Sequence, residues 1–272
     1  MTRSVRRTRR MLKLAGAGAA ALMALSACSS SSDAKKSGSS DASASPKLSG
    51  TVTVFAAASL KESFTTLGKE FEHEHPGTEV SFNFGGSDTL AASITGGAPA
   101  DVFAAASPKT MKIVTDKGDA TGAPATFVRN QLEIATLPGN PDEVASLKDL
   151  TKSGLKVVLC DKSVPCGAAA QKALDAAELK LTPVSYEQDV KAALNKVQLK
   201  EADAAVVYKT DVKAAGGKVE GVEFPESADA VNDYPIALLK DAPNAETAKA
   251  FIALVRSAKG QKVLSQAGFL KP

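Results

Sequence analysis

From residue 51 onward, short apolar runs alternate with stretches of helical period, and no other feature limits the possible folds so sharply. Residues 51–55, 79–84 and 101–105 read as strands. Between the first two, Leu60, Phe64, Leu67 and Phe71 recur at helical spacing, which predicts an amphipathic helix over 60–73. Ser59-Leu60-Lys61-Glu62 fits a capping box at its start. Leu90 and Ile94 mark a short helix stopped by Gly96-Gly97, and another covers 107–117, ending at Gly118. The series continues with strands at 131–137, 155–160, 203–208 and 234–239. Helices are expected at 168–177, around Val190, Ala193, Leu194 and Val197 with Asp189 or a neighbour as the opening residue, at 245–257 and at 259–267. This alternation predicts an α/β fold with sheets covered by helices on both faces. About 225 folded residues allow one large or two small domains.

Two strand-to-helix corners carry the functional signal. Val54-Phe55-Ala56-Ala57-Ala58-Ser59-Leu60 and Phe82-Asn83-Phe84-Gly85-Gly86-Ser87-Asp88-Thr89-Leu90 each run from an apolar strand through small residues to a serine at a helix start. Small residues let a ligand approach the backbone, and a helix start offers unpaired N–H groups at the positive end of its dipole. Two such corners facing each other would make a socket for a small anion.

Together with Gly97-Ala98-Pro99-Ala100-Asp101-Val102-Phe103, Val164-Pro165-Cys166-Gly167 and Val206-Val207-Tyr208, these stretches resemble the molybdate-binding proteins of ABC-type molybdate importers. The likeness runs from about Leu48 to Phe269. It implies a two-lobed periplasmic-binding-protein fold of class II with ligand in the cleft between the lobes. Lobe one would be 48–130 plus 235–272, and lobe two 131–234. It also implies an oxyanion site in which Ser59, Ser87 and Tyr208 give hydroxyls while Cys166, Val190 and Ala58 give backbone N–H groups. The ligand would be molybdate or tungstate, held without a cofactor and without direct protein–metal bonds, and the partner an ABC permease. The protein would act as a monomer and not as an enzyme. The chain departs from the family pattern twice. Cys166 stands where a small residue is usual, so only its main-chain role carries over. Asp88 follows Ser87, where a carboxylate favours the helix dipole but, if turned into the cleft, would favour hydrogen phosphate over molybdate.

The N-terminus reads as an address. Arg3, Arg6, Arg7, Arg9, Arg10 and Lys13 precede an apolar, Ala-rich stretch over 12–27, too short to span a bilayer. Leu25-Ser26-Ala27-Cys28 resembles a bacterial lipobox, which makes 1–28 a lipoprotein signal peptide with Cys28 as the acylated residue; the alternative is an ordinary signal peptide with an incidental cysteine. Residues 29–47 hold nine serines and no apolar period, as expected of a tether. Anchor, tether and domain together place the protein on the outer face of the cell membrane.

Charge and cysteines follow from that division. The chain has 33 basic and 30 acidic residues, and the leader holds six of the basic ones. The remainder is therefore slightly acidic, which disfavours a nucleic-acid binder. With Cys28 set aside, Cys160 and Cys166 remain, close enough to bridge a short loop in an oxidising compartment or to stand as two buried thiols.

Other readings compete with the receptor. Ser59 and Ser87 serve equally as helix caps, and Tyr208 at a strand end as packing. A hydrolase with a serine nucleophile needs a base. The two histidines, His73 and His75, fall at the far end of the helix that Ser59 opens, about 20 Å away by helix rise. A metal site at His73-Glu74-His75 is disfavoured because i, i+2 spacing turns the imidazoles to different helix faces. A receptor for sulfate or phosphate is the runner-up.

Overall fold

The computed structural model describes residues 47–272. The expected leader with Cys28 and the tether up to residue 46 lie outside the described residues. The chain opens with β1 (Gly50–Ala57), a short 3-10 turn at Ala58–Leu60 and α1 (Lys61–Glu74). β2 (Thr78–Gly85), α2 (Ser87–Thr95), β3 (Val102–Ala104), α3 (Pro108–Asp116) and β4 (Ala120–Asn130) follow. Next come β5 (Leu132–Thr136), β6 (Val157–Cys160), α4 (Pro165–Ala176), β7 (Ser185–Glu187) and α5 (Val190–Gln198). The chain ends with β8 (Ala204–Tyr208), α6 (Lys209–Ala215), β9 (Glu220–Val222), β10 (Asn232–Leu239), α7 (Ala245–Arg256) and α8 (Ala258–Gln266).

These strands form two five-stranded sheets, ordered β2-β1-β3-β10-β4 and β7-β6-β8-β5-β9. Each is parallel where β–α units build it, and each holds one strand that runs antiparallel to both neighbours, β10 in the first and β5 in the second. A single residue, Gln131, separates β4 from β5. The return passes through a 3-10 turn at Pro225–Ala230 and enters β10 at Asn232. Asn130 and Asn232 stand opposite each other where β4 and β10 pair.

The first sheet is covered on both faces. One carries an aromatic cluster with Phe64 at its centre, in ring contact with Phe82, Phe127 and Phe251 at centroid distances of 6.3, 5.8 and 6.0 Å. The other packs Phe103 against Leu90, Ile94, Met111 and Val114 from α2 and α3. The second sheet buries its own apolar cluster, which includes Leu147, Val158, Ala173, Leu194 and Val206. Ala58, at the end of β1, packs into that second cluster. Asp101 ties the first lobe together. Its two carboxylate oxygens accept the Thr53 N–H at 2.8 Å and the Asn244 N–H at 3.0 Å, which joins β1, the start of β3 and the start of α7.

The expected strands and helices are present, with ends shifted by up to three residues. β4, β7, β9 and α6 were not anticipated. β4 is an edge strand, largely exposed over its first seven residues and carrying Gly122 and Pro124, so it shows no apolar alternation. The other three are too short to display a period. The capping box at Ser59 does not form: Leu60 is the N-cap of α1, with no side-chain cap bond, because Ser59 sits inside the preceding 3-10 turn.

Phe64 is fully buried among three other rings. Phe64→Ala is expected to lower unfolding stability by about 3–5 kcal/mol, measured by urea titration. A loss near zero would show that this cluster does not hold the lobe together.

Candidate functional site

The two sequence corners do not face each other: β1 and β2 are neighbouring parallel strands, so the corners stand side by side on one wall of a small cavity. One wall is Ala57, Ala58 and Ser59; beside it stand Gly85, Gly86 and Ser87, with Ala106 at the end of the first sheet. The opposite wall comes from the second lobe: Val164, Pro165 and Cys166 at the start of α4, Asp189 and Val190 at the start of α5, and Tyr208 at the end of β8. All six residues expected to bind the anion, Ala58, Ser59, Ser87, Cys166, Val190 and Tyr208, therefore line one cavity, and all are buried. Its free interior is about 20 Å³, the room of about one water molecule. A sugar or a peptide is far too large for such a space.

Local structure explains why these residues point here. α2, α4 and α5 all begin at the cavity wall, and the Ala58–Leu60 turn adds a fourth set of N-terminal N–H groups. None of the lining residues is lysine or arginine. Asp189, the one carboxylate on the wall, accepts the Lys191 N–H at 2.8 Å and the Ala192 N–H at 3.0 Å. It serves its own helix in that way and leaves Val190 as the first N–H of α5. Gly86 permits the close approach of the two lobes, since a Cβ there would stand 2.6 Å from the Gln188 carbonyl oxygen. Asp88 is not on the cavity wall. Its Oδ1 lies beside Gly86, 2.8 Å from the same Cβ position, and is buried without a hydrogen-bond partner among the described residues.

Cys160 and Cys166 form a disulfide across six residues. It joins the end of β6 to the first turn of α4. Gly167 packs so tightly there that a Cβ would overlap the Asp161 carbonyl oxygen. The bridge and this contact fix the wall that carries the Cys166 N–H.

The hydroxyls are already in hydrogen bonds. Ser59 Oγ lies 2.8 Å from Tyr234 Oη, Ser87 Oγ accepts the Ala106 N–H at 2.9 Å, and Tyr208 Oη accepts from Asn232 Nδ2 at 2.7 Å. Burial, with the neighbouring Tyr234 adding to it, pushes the Tyr208 phenol well above its usual range, so it stays a neutral donor. Tyr234, Asn232, Asn130 and Ala106 were not singled out from the sequence. Tyr234 read there only as the start of a strand. Two asparagines at strand ends were the available hint, because a buried amide implies polar partners. His73 is exposed and His75 packs on the Phe71 ring at 4.6 Å. Among the described residues, no cluster of three or more His, Cys, Asp or Glu side chains is arranged to hold a metal.

One ion cluster crosses between the lobes next to the cavity. Lys191 Nζ lies 2.9 Å from Glu62 Oε2 on α1 and 3.0 Å from Asp211 Oδ1 on α6. Burial pushes the Asp211 carboxyl up to about 6 despite the pull of Lys191. Burial opposes the charge on Lys191, but Asp211 and Glu62 together hold its pKa above the usual lysine range.

With this geometry in view, comparison with known proteins gives the class. Residues 52–270 match the family described as bacterial extracellular solute-binding protein. The chain is 45% identical over 221 residues to the molybdate-binding protein ModA of Mycobacterium tuberculosis strain H37Rv, which covers 81% of this chain and 85% of that protein. It superposes on the periplasmic molybdate-binding protein of Azotobacter vinelandii with a TM-score of 0.70, at 21% identity, covering 81% of this chain and 99% of the other. The sulfate-binding protein SubI of M. tuberculosis shares the fold at a TM-score of 0.68 and 17% identity, covering 80% and 86%. The chain belongs to the bacterial extracellular solute-binding proteins and has their two-lobed periplasmic-binding fold.

The buried cluster yields a pH test. The folded pKa of Asp211 lies above its unfolded value of 3.8. Its proton therefore favours folding fully below that value, and this contribution is lost as pH rises through about 6. Lys191→Met leaves Asp211 to bear its charge unpaired above that range. The substitution should cost about 3–5 kcal/mol at about pH 8 and clearly less at about pH 5, where Asp211 is protonated. Equal losses in urea melts at both pH values would refute the coupling.

Proposed function

We propose that this chain is an extracytoplasmic receptor that binds molybdate, and tungstate with it, in the cavity between its lobes and delivers it to an ABC permease. One observation carries the reading. Three hydroxyls and four helix or turn starts converge on one small cavity, with no cationic side chain on its wall. Such a site suits a ligand that is charged, compact and made of acceptors. Fixed N–H and O–H dipoles replace the hydration shell of the ion without a buried countercharge, and each bond to a charged acceptor is stronger than a neutral one. The 45% identity to a molybdate-binding protein selects molybdate within that class.

In this reading Ser59, Ser87 and Tyr208 donate their hydroxyl protons. Ala58, Cys166 and Val190 donate backbone N–H groups. A receptor for sulfate or phosphate is the second reading, favoured by the fold shared with a sulfate-binding protein. Hydrogen phosphate needs an acceptor for its own proton. Asp88 lies off the wall, and Asp189 spends Oδ1 on two N–H groups of its helix, so phosphate would have to take its acceptor from the remaining oxygen of Asp189.

Calorimetry of wild type, Ser59→Ala and Ser87→Ala with molybdate, tungstate, sulfate and phosphate tests the assignment. Each substitution should weaken molybdate by roughly 10- to 150-fold, the worth of a hydrogen bond to a charged partner. Sulfate, the smaller dianion, should bind much more weakly than molybdate. Equal sulfate binding, or molybdate affinity unchanged in both variants, would falsify the site.

The leader completes the proposal: Cys28 is acylated and the chain from 29 to 47 tethers the receptor to the outer face of the membrane. A lipid label should follow the wild type into the membrane fraction and be absent from Cys28→Ala. No label on the wild type would remove the anchor from the proposal.

A further inference from the structure

Behind the three hydroxyls of the cavity stand further polar groups, and the direction of the bonds to Ser87 and Tyr208 follows from the donors alone, while between Ser59 and Tyr234 either hydroxyl can donate. A backbone N–H can only donate, so Ser87 Oγ accepts from Ala106. Asn232 Nδ2 faces the Pro165 carbonyl at 3.3 Å as well as Tyr208 Oη at 2.7 Å. A carbonyl only accepts, which fixes the NH₂ end of the amide there and makes Tyr208 Oη the acceptor. Asn130 Oδ1 accepts the Gln131 N–H at 3.0 Å, which turns its NH₂ toward Thr210 Oγ1 at 2.9 Å and Tyr234 Oη at 3.3 Å. Tyr234 is fully buried and does not line the cavity. It has one proton, and Ser59 Oγ is a hydroxyl within donating distance at 2.8 Å. A phenol is the stronger donor of that pair, and Asn130 already feeds its oxygen. Ser87 and Tyr208 thus accept from the protein and keep their own protons for the cavity; with Tyr234 as the donor to Ser59, all three hydroxyls do, and a hydroxyl that accepts is a better donor.

We infer that Tyr234, fed by Asn130, is a positioning residue that turns the Ser59 proton toward the bound anion, and that this one-way arrangement selects oxyanions bearing no proton over hydrogen phosphate. The inference rests on the receptor reading above and deepens it: discrimination against a protonated anion comes from groups that never touch the ligand.

The test is a set of calorimetric titrations with molybdate and with phosphate at about pH 8, where phosphate still carries a proton. The proteins are wild type, Tyr234→Phe, Ser59→Ala and the double variant, each checked by thermal melting. Tyr234→Phe keeps the ring and removes the hydroxyl. It should weaken molybdate about tenfold, the scale of one net hydrogen bond. Phosphate should lose less, because Ser59 Oγ regains an acceptor position, so the molybdate-to-phosphate ratio narrows. Added to Ser59→Ala, Tyr234→Phe should cost little more, since Tyr234 acts only through the Ser59 hydroxyl. Asn130→Asp replaces the feeding donor by an acceptor and should narrow the same ratio by drawing the Tyr234 proton away. A ratio unchanged in both variants, or losses that simply add, would mean that Tyr234 only packs, and would overturn the inference. Wild type taking phosphate as tightly as molybdate would overturn the selection and leave an oxyanion receptor standing. Wild type ignoring molybdate would overturn the receptor assignment instead, and the relay would then be judged on the same ratio with sulfate, failing if sulfate too is ignored.

Discussion

The pairing of β4 with β10 is the contact on which both fold and site depend. These strands join the two sheets, and Asn130 stands opposite Asn232 in their register. Each asparagine uses its amide to hold a buried tyrosine, Asn130 with Tyr234 and Asn232 with Tyr208. The same two residues also touch the second lobe, through Thr210 and the Pro165 carbonyl. A connection between lobes would ordinarily be judged by its flexibility. Here it also sets where the protons of the cavity hydroxyls point, so the geometry of the joint and the polarity of the cavity are one property.

Electrostatics divide cleanly around that joint. The cavity wall holds dipoles without cations, while formal charge pairs stand one layer away, as in Lys191 between Glu62 and Asp211. A cation inside would attract anions of any shape or protonation. Helix starts and hydroxyls instead act over short range and in fixed directions. The disulfide at Cys160–Cys166 and the tight packing at Gly167 serve the same end, because a dipole works only while its backbone stays in place.

The sequence shows the alternation of strands and helices and the two serine corners clearly, because each is a local pattern: period, small residues, a hydroxyl at a helix start. The cavity residues of the second lobe, Cys166, Val190 and Tyr208, follow from the family resemblance and not from any periodicity. What stayed hidden has a common cause. β4 lacks alternation because it lies at an edge. Ser59 forms no capping box because it lies inside a 3-10 turn that makes Leu60 the N-cap, and its hydroxyl instead meets Tyr234, 175 residues away in the chain. Tyr234 and the two asparagines gain meaning from their partners in space, and a single sequence gives no sign of those partners.

Ala58 belongs to the first lobe by sequence and to the apolar core of the second by contact. Its methyl group is the part of one half that the other half treats as its own interior. Any longer side chain at this position would act as a wedge and hold the halves ajar whatever anion lay between them. The repertoire of residues open to position 58 over evolutionary time is thus narrowed by shape alone. Gly86 sets a second such limit, since any side chain there would meet the Gln188 carbonyl, so the fit of the halves is fixed at two small residues.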